Sequence, residues 1–223
     1  MIKPAHRYFD NHRKTSWLYF DKGDPRECYM RGGICFPVKY KSLTGIDNHG
    51  YAVMAGQDLK TGIIHVFEQV NWVTIDDILS KGTSQESLPM NAIRYPGLSH
   101  WFNMCWNKYF MQTFYFNQPD ELSRRFRLQI IRSPMINPKP RIVEMFINSK
   151  DDLLSGIWHR IKTGQLEIEK GSEIGDVLKD TMVEDKILFP QIHALGCCLL
   201  GFEQYPWRKP YEQPIQELLV AAG

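Results

Sequence analysis

The sequence has no long apolar segment and no strong excess of charge of one sign. No apolar run approaches the ~20 residues that a membrane-spanning helix requires, and the first residues lack the apolar stretch of a secretion signal. The 27 Lys and Arg nearly balance the 25 Asp and Glu, which leaves a net charge of +2. We therefore expect no membrane partner, and the overall charge does not by itself indicate a polyanionic one.

The motifs of several large enzyme classes are also missing. Gly32-Gly33, Gly196 and Gly201 fit neither the phosphate-binding loop nor the dinucleotide fingerprint. The nucleophile elbow G-x-S-x-G does not occur, and no cysteine has the sequence context of a known nucleophile. These absences disfavour nucleotide hydrolysis and acyl transfer, and we expect no cofactor.

Cysteine is scarce and odd in number. The 5 cysteines lie among apolar residues, and Cys197 and Cys198 are adjacent, an arrangement that rarely forms a disulfide. This usage is typical of a reduced chain inside a cell. We therefore expect a cytoplasmic protein.

The composition is otherwise that of a globular protein rich in aromatic residues. The hydrophobic share is 43% and the charged share 23%, with 12 Phe, 10 Tyr and 6 Trp among 223 residues. This length suits one domain with a substantial core. The proline-rich stretch 133–140 is the candidate internal boundary, and we interpret it as a loop within a single domain that spans 1–223.

The clearest local signal is a β-hairpin over residues 51–69. Two β-prone segments flank Asp58-Leu-Lys-Thr-Gly62, a short polar connection that ends in glycine. The chain also carries weaker signals, each bounded by turn or cap residues. These predict strands at 16–20, 34–38 and 141–147, and helices at 75–81, at 150–163 before Gly164, and at 173–186 after Ser172.

The most aromatic segment begins at Leu98. We expect a helix from about 100 to 116, because its aromatic residues cover most of a helical circumference, and such a helix is normally buried. A surface that binds a partner is the alternative. The fold class predicted is α+β: a mixed or antiparallel sheet containing the 51–69 hairpin, packed against this central helix. Trp101, Phe102, Trp106 and Tyr109 should then be largely buried.

An arginine cluster follows the aromatic segment. Residues 94–141 contain eight basic and two acidic residues, a local charge of +6, so few acids are available to pair with these guanidiniums. Paired guanidiniums suit phosphate oxygens, which makes nucleic acid an expected partner. The alternative is pairing with the acidic stretch at 144–185. The cluster comprises Arg124, Arg125, Arg127 and Arg132.

Three groups of side chains could hold a metal ion. His6, Asp10 and His12 form one group, and His193 with Cys197, four residues apart, form a second. Solvated and core positions are the competing interpretations. The third group surrounds the hairpin, where carboxylates on neighbouring strands could bind Mg²⁺. Its members are Asp47, Asp58 and Glu68.

These observations predict a non-catalytic binding or assembly protein, because aromatic and arginine residues are abundant and no recognisable catalytic motif is present. A protein partner or a second copy of the chain is expected, with nucleic acid as a further partner through the arginine cluster. The alternative function is a metal-dependent phosphodiesterase or nuclease that uses Asp47, Asp58 and Glu68.

Overall fold

The part of the chain described by the computed structural model forms ten strands and five helices. It comprises residues 5–19, 25–36, 40–42, 45–47, 50–72, 98–118, 121–134, 136–146, 150–168, 171–180 and 189–208. The helix predicted at 75–81 lies outside these residues. None of the helices described combines the length and the apolar character needed to cross a lipid bilayer.

Strands and helices alternate irregularly along the chain. The strands are β1 (Ala5–Asp10), β2 (Thr15–Tyr19), β3 (Arg26–Cys35), β4 (Tyr40–Ser42), β5 (Gly45–Asp47), β6 (Gly50–Asp58), β7 (Ile64–Trp72), β8 (Thr113–Phe116), β9 (Arg141–Glu144) and β10 (Leu166–Ile168). The helices are α1 (Leu98–Tyr109), α2 (Glu121–Arg132), α3 (Lys150–Lys162), α4 (Glu173–Asp180) and α5 (Pro190–Gln204).

Eight of these strands form one mixed sheet with β3 at its centre. The order is β1-β2-β3-β6-β7-β10, and β8 pairs with β3 and β9, while β4 and β5 form a separate hairpin. Strands β1 to β3, β6 and β7 are antiparallel neighbours. Strands β3, β8 and β9 are parallel, as are β7 and β10. The predicted α+β class is confirmed.

The predicted 51–69 hairpin is formed by β6 and β7. Their register runs from Gly50 opposite Trp72 to Gln57 opposite Ile64. The Asp58 carboxylate accepts hydrogen bonds from the backbone N–H groups of Lys60 and Thr61. Gly62 has a φ of 75°, a conformation that glycine adopts without steric cost. The local turn chemistry therefore formed as the sequence indicated.

The aromatic segment forms helix α1 and strand β8, so the helix is shorter than predicted. Helix α1 ends at Tyr109, and Phe110 has a left-handed φ of 52°. Residues 113–116 then pair with β3 and β9, and this long-range pairing overrides the local helical pattern. Trp101, Phe102 and Tyr109 are buried as expected, whereas Trp106 is only partly buried.

Helices cover both faces of the sheet. Helices α1 and α2 contribute to a core with β3, β6 and β8 on one face, around Met54, Trp101, Phe114 and Ile130. Helices α3, α4 and α5 build the second core on the other face. Residues 126–131 alternate apolar and polar side chains in part, as a strand would, and they form part of helix α2.

Helix α5 lies unusually close to the sheet. A Cβ atom on Gly33 would be 1.8 Å from the Ala194 carbonyl oxygen, and one on Gly201 would be 2.3 Å from the Tyr115 ring. The Cys198 Sγ donates to the Arg31 carbonyl oxygen at 3.5 Å. Helix α5 therefore runs antiparallel to β3, with its first turn toward the carboxyl end of that strand.

Cap signals placed the neighbouring helices correctly. The Ser172 hydroxyl accepts a hydrogen bond from the Gly175 N–H at 3.2 Å, as an N-cap residue does. Gly164 has a φ of 67° directly after α3, which is the left-handed conformation common at helix C-termini. The predicted helix start at 173 and helix end before Gly164 agree with α4 and α3.

Candidate nucleic-acid and carboxylate sites

The arginine cluster lies along helix α2. Arg124 is exposed and its Nη2 is 3.2 Å from the Glu144 carboxylate at the end of β9. Arg127 is partly buried, and its Nε has no hydrogen-bond partner among the residues described. Arg132 is exposed at the last turn, whereas the Arg125 side chain lies outside the description. The helix thus leaves Arg124 and Arg132 accessible to a partner.

The predicted hairpin carboxylates do not converge at one point. Asp58 ends β6, whereas β5 ends at Asp47 and Gly50 opens β6. Since a strand rises about 3.3 Å per residue, Gly50 and Asp58 are roughly 26 Å apart. Glu68 lies between these ends, opposite Met54. The side chains of Asp47 and Glu68 lie outside the description. One metal ion therefore cannot bind Asp47 and Asp58 together.

Asp58 has a structural environment. Its side chain is 2% exposed, it holds the hairpin turn through two backbone N–H groups, and its Oδ2 is 3.3 Å from Arg26 Nη1. A buried carboxylate with three such donors is well satisfied. These contacts account for the buried position of Asp58 at the turn without any ligand.

A histidine that the sequence did not single out lies beside Asp58. His65 Nδ1 is 2.9 Å from Glu167, because β10 pairs with β7 and sets Glu167 opposite His65. Burial lowers the pKa of His65 below its ordinary value of 6.5, while the charge of Glu167 acts in the opposite direction. The contact joins residues about one hundred positions apart, so no local sequence signal could have predicted it.

The two other predicted metal groups have different surroundings. Asp10 Oδ1 accepts hydrogen bonds from the N–H groups of His12 and Arg13, which closes the β1–β2 turn. The His6 side chain lies outside the description, and His12 is exposed. His193 and Cys197 are buried in α5. Within the residues described, no group of three His, Cys, Asp or Glu side chains is suited to a metal ion.

The thiols have the chemistry of core residues. All five cysteines are buried thiols. Burial raises the pKa of Cys198 to about 12 and raises that of Cys197 well above its ordinary value. A catalytic thiol requires a lowered pKa, so these two cysteines are packed groups and not nucleophiles.

Three helices begin near one edge of the sheet, the edge at which β3, β8 and β9 end. We call this edge, which contains Cys35, Phe116 and Glu144, the carboxyl edge. The Gln118 side chain exchanges two hydrogen bonds with the Phe36 backbone, at 2.7 and 3.1 Å, shortly before α2 begins. Helix α5 starts toward this edge as well.

Helix α3 also begins near the carboxyl edge. Leu153, in its first turn, lies against Gly196 in the first half of α5, where an added Cβ would be 2.7 Å from the Leu153 side chain. The N-cap residue of α5 is Phe189, whose side chain makes no capping hydrogen bond. The first turn of α5 contains no acidic residue. Helix N-termini carry partial positive charge and N–H groups without intrahelical partners, so the start of α5 favours anions.

Comparisons with known proteins place one solved structure beside this fold. No protein-family model matches the chain, and no curated protein sequence is similar to it. The crystal structure of the fowlpox virus Holliday junction resolvase is similar to this structure, with 10% sequence identity and a TM-score of 0.37. The similarity covers 78% of this chain and 99% of the resolvase chain.

The main functional expectation needs correction at this point. We expected a non-catalytic binding or assembly protein, and the similar structure is a resolvase, which contradicts that expectation. The finding agrees better with the alternative, a phosphodiesterase or nuclease.

Proposed function

We propose that this protein is a metal-dependent phosphodiesterase that cleaves nucleic acid at the carboxyl edge. The observation that carries the proposal is the meeting of three helix starts with a candidate carboxylate and an exposed arginine. Ligands of α/β sheets bind outside the carboxyl ends of the strands, where the strand order reverses. Here β3 has the antiparallel strand β6 on one side and the parallel strand β8 on the other.

Asp47 is the candidate metal ligand at this edge. Tyr51, the second residue of β6, pairs with Cys35 at the end of β3. Three steps of chain separate Asp47 from Gly50, so the Asp47 backbone lies within roughly 11 Å of the start of β6. A carboxylate there would bind Mg²⁺ or Mn²⁺, and the metal ion would activate water and stabilise charge on the leaving oxygen.

Arg124 is the candidate phosphate contact. It lies in the first turn of α2, and its ion pair with Glu144 orients the guanidinium at the end of β9. The side chain remains 47% exposed, so a phosphate oxygen can reach it. Arg125, Arg127 and Arg132 would extend the contact along the helix, through charge-assisted hydrogen bonds to the backbone of the strand.

The test is a cleavage assay with Mg²⁺ or Mn²⁺ on labelled four-way junction, duplex and single-stranded DNA and on RNA. Wild type should cleave at least one substrate in the presence of metal and none in EDTA. Replacing Asp47 with Ala should lower the rate by ~100-fold or more, as expected for a group acting directly in the chemistry, without lowering the melting temperature.

Asp58→Ala is the matched control, because it removes a carboxylate from the end of β6 that lies away from the carboxyl edge. This variant should lose stability by about 1–3 kcal/mol, since the Lys60 and Thr61 N–H groups lose their acceptor. Its folded fraction should cleave normally. Absence of cleavage on every substrate, or equal rate losses in the two variants, would reject the proposed site.

A further inference from the structure

A second polar site lies on the face of the sheet that carries α5, away from the carboxyl edge. Its central residue is Arg31, in the middle of β3 and four residues before Cys35. This spacing places Arg31 about 13 Å from the end of the strand. The site has two further members. Arg141, the first residue of β9, adds a second positive charge, and Tyr205, which follows α5, adds an exposed aromatic ring.

Arg31 is a largely buried cation with no acidic partner in the part of the chain that the structure describes. Its guanidinium lies over the Tyr29 ring, 3.9 Å from the centroid, and 5.8 Å from the centroid of Tyr115. One nitrogen donates to the Met30 carbonyl oxygen at 3.1 Å, and the buried Nε has no acceptor. No carboxylate of the described residues forms an ion pair with it. Burial also lowers the pKa of Arg31.

A second guanidinium reinforces the positive charge. Arg141 stands opposite Thr113 in the β8–β9 register, and Thr113 directly precedes the residue that pairs with Gly32. The adjacent strands β3, β8 and β9 therefore carry Arg31, Thr113 and Arg141 side by side. The outer two strands, β3 and β9, are about 10 Å apart. Arg141 is close enough for its charge to lower the pKa of Arg31 further. An anion bound between the two guanidiniums would offset the repulsion between their positive charges.

An accessible aromatic ring completes the arrangement. Tyr205 stacks on Tyr115, with centroids 5.5 Å apart and planes inclined by 14°, and it remains 45% exposed. Planar aromatic side chains beside guanidiniums are the usual means of holding an unpaired base next to its phosphate. The stack therefore offers a surface for a base adjacent to the two arginines.

We propose that Arg31, Arg141 and Tyr205 form a nucleotide-binding site, in which the two guanidiniums bind a phosphate group and Tyr205 stacks on the base. Arg31 would present a planar donor fork to the phosphate oxygens. The base would contact a ring already fixed by Tyr115. The phosphate can belong to a free mononucleotide or to one unit of a single strand, and the two sources are separated by experiment.

The experiment measures binding to the full chain in EDTA, so that it is independent of the proposed cleavage. The probes are a labelled oligothymidylate, thymidine monophosphate, and thymidine as the control that lacks phosphate. Replacing Arg31 or Arg141 with Met should weaken binding about tenfold. Each change should also reduce the slope of log affinity against log salt for the oligonucleotide by about 0.7, the value for one phosphate contact on a single strand.

Matched variants separate binding from folding. Lys162→Met removes one exposed positive charge from the last turn of α3 and should leave affinity unchanged. Tyr205→Ala should weaken binding about tenfold through the lost stacking, whereas Tyr205→Phe should restore it. Arg141 is exposed, so Arg141→Met is expected to fold even if Arg31→Met does not.

The outcomes are distinct. Binding of the oligonucleotide and of thymidine monophosphate supports a mononucleotide site, and binding of the oligonucleotide alone supports a site for a strand. Thymidine that binds as tightly as its monophosphate would overturn the phosphate contact. Arg31→Met and Arg141→Met variants that bind as well as wild type, or no binding to any probe at low salt, would overturn the site itself.

Discussion

The close contact between α5 and β3 leads to a sharp prediction for Gly33→Ala. The added methyl group would lie 1.8 Å from the Ala194 carbonyl oxygen and 2.7 Å from the Cys198 amide nitrogen. Both atoms belong to the backbone of α5, so no side-chain rotation can relieve the clash. The helix would have to move outward by about 1.5 Å to reach ordinary contact, since interiors are packed like crystals.

This displacement has a calculable cost. Helix α5 contributes Ile192, Leu195, Leu199 and Phe202 to the second core, and their contacts with the sheet would weaken together. Overpacking usually costs 1–3 kcal/mol, and a clash with backbone belongs at about 3 kcal/mol. For a chain of this length the melting temperature should fall by roughly 6–12 °C.

Thermal and urea unfolding followed by circular dichroism would test the prediction, with Gly156→Ala as the control. Gly156 lies within α3 and has no heavy atom within 4 Å of an added Cβ. Alanine there should stabilise the protein by about 0.5–1 kcal/mol, because glycine loses more conformational entropy in a helix. A Gly33→Ala protein with the wild-type melting temperature would refute the contact.

Two further perturbations test the core and the buried histidine. Trp101→Ala should lower the free energy of unfolding in urea by about 3–5 kcal/mol, because Trp101 is 3% exposed and packs on Phe102 and Phe114. Trp106→Ala should lower it by less, because Trp106 is only partly buried. Equal losses in the two variants would contradict this difference in burial. Because the pKa of His65 is lowered on folding, the unfolded chain binds more protons below pH 6.5, so stability should fall as the pH drops from about 7.5 to 5.5. His65→Gln should flatten this slope in melting temperature, and an unchanged slope would exclude His65 as its cause.

The local elements of the fold could be predicted from sequence because their signals are local. Asp58 and Gly62 marked the hairpin turn, Ser172 marked a helix start and Gly164 a helix end, and each performs that role. These residues act on backbone groups within a few positions of themselves. Their effect can therefore be predicted from a short segment of sequence.

Strand β8 could not be predicted in the same way. Its residues continue an aromatic pattern that suits a helix, and they form a strand because β3 and β9 supply hydrogen-bonding partners. Gly32 allows this approach, since a Cβ there would be 2.4 Å from the Phe114 ring. A partner strand that lies far away in sequence leaves no periodic signal in the strand that it pairs with.

The candidate sites depend on the same long-range contacts. Arg124 was identified from local charge, but its proximity to Glu144 follows from the position of β9. Arg31 attracted no attention because no other basic residue lies within four positions of it in the sequence. Its significance lies in the packed structure, where none of the carboxylates described forms an ion pair with it.

Strand β3 also determines the order in which the sheet can form. Its pairings with β2 and β6 join segments close in sequence, whereas its pairing with β8 brings together Gly32 and Phe114, 82 residues apart. Closing that loop costs more chain entropy than closing a hairpin, and such distant contacts slow folding. We expect the antiparallel half to assemble first, so amide protons of β8 and β9 should exchange before those of β6 when the protein opens partially. The proposed catalytic edge would then combine a part that forms early, at the start of β6, with a part that forms last and opens first, at the end of β9 where Glu144 contacts Arg124.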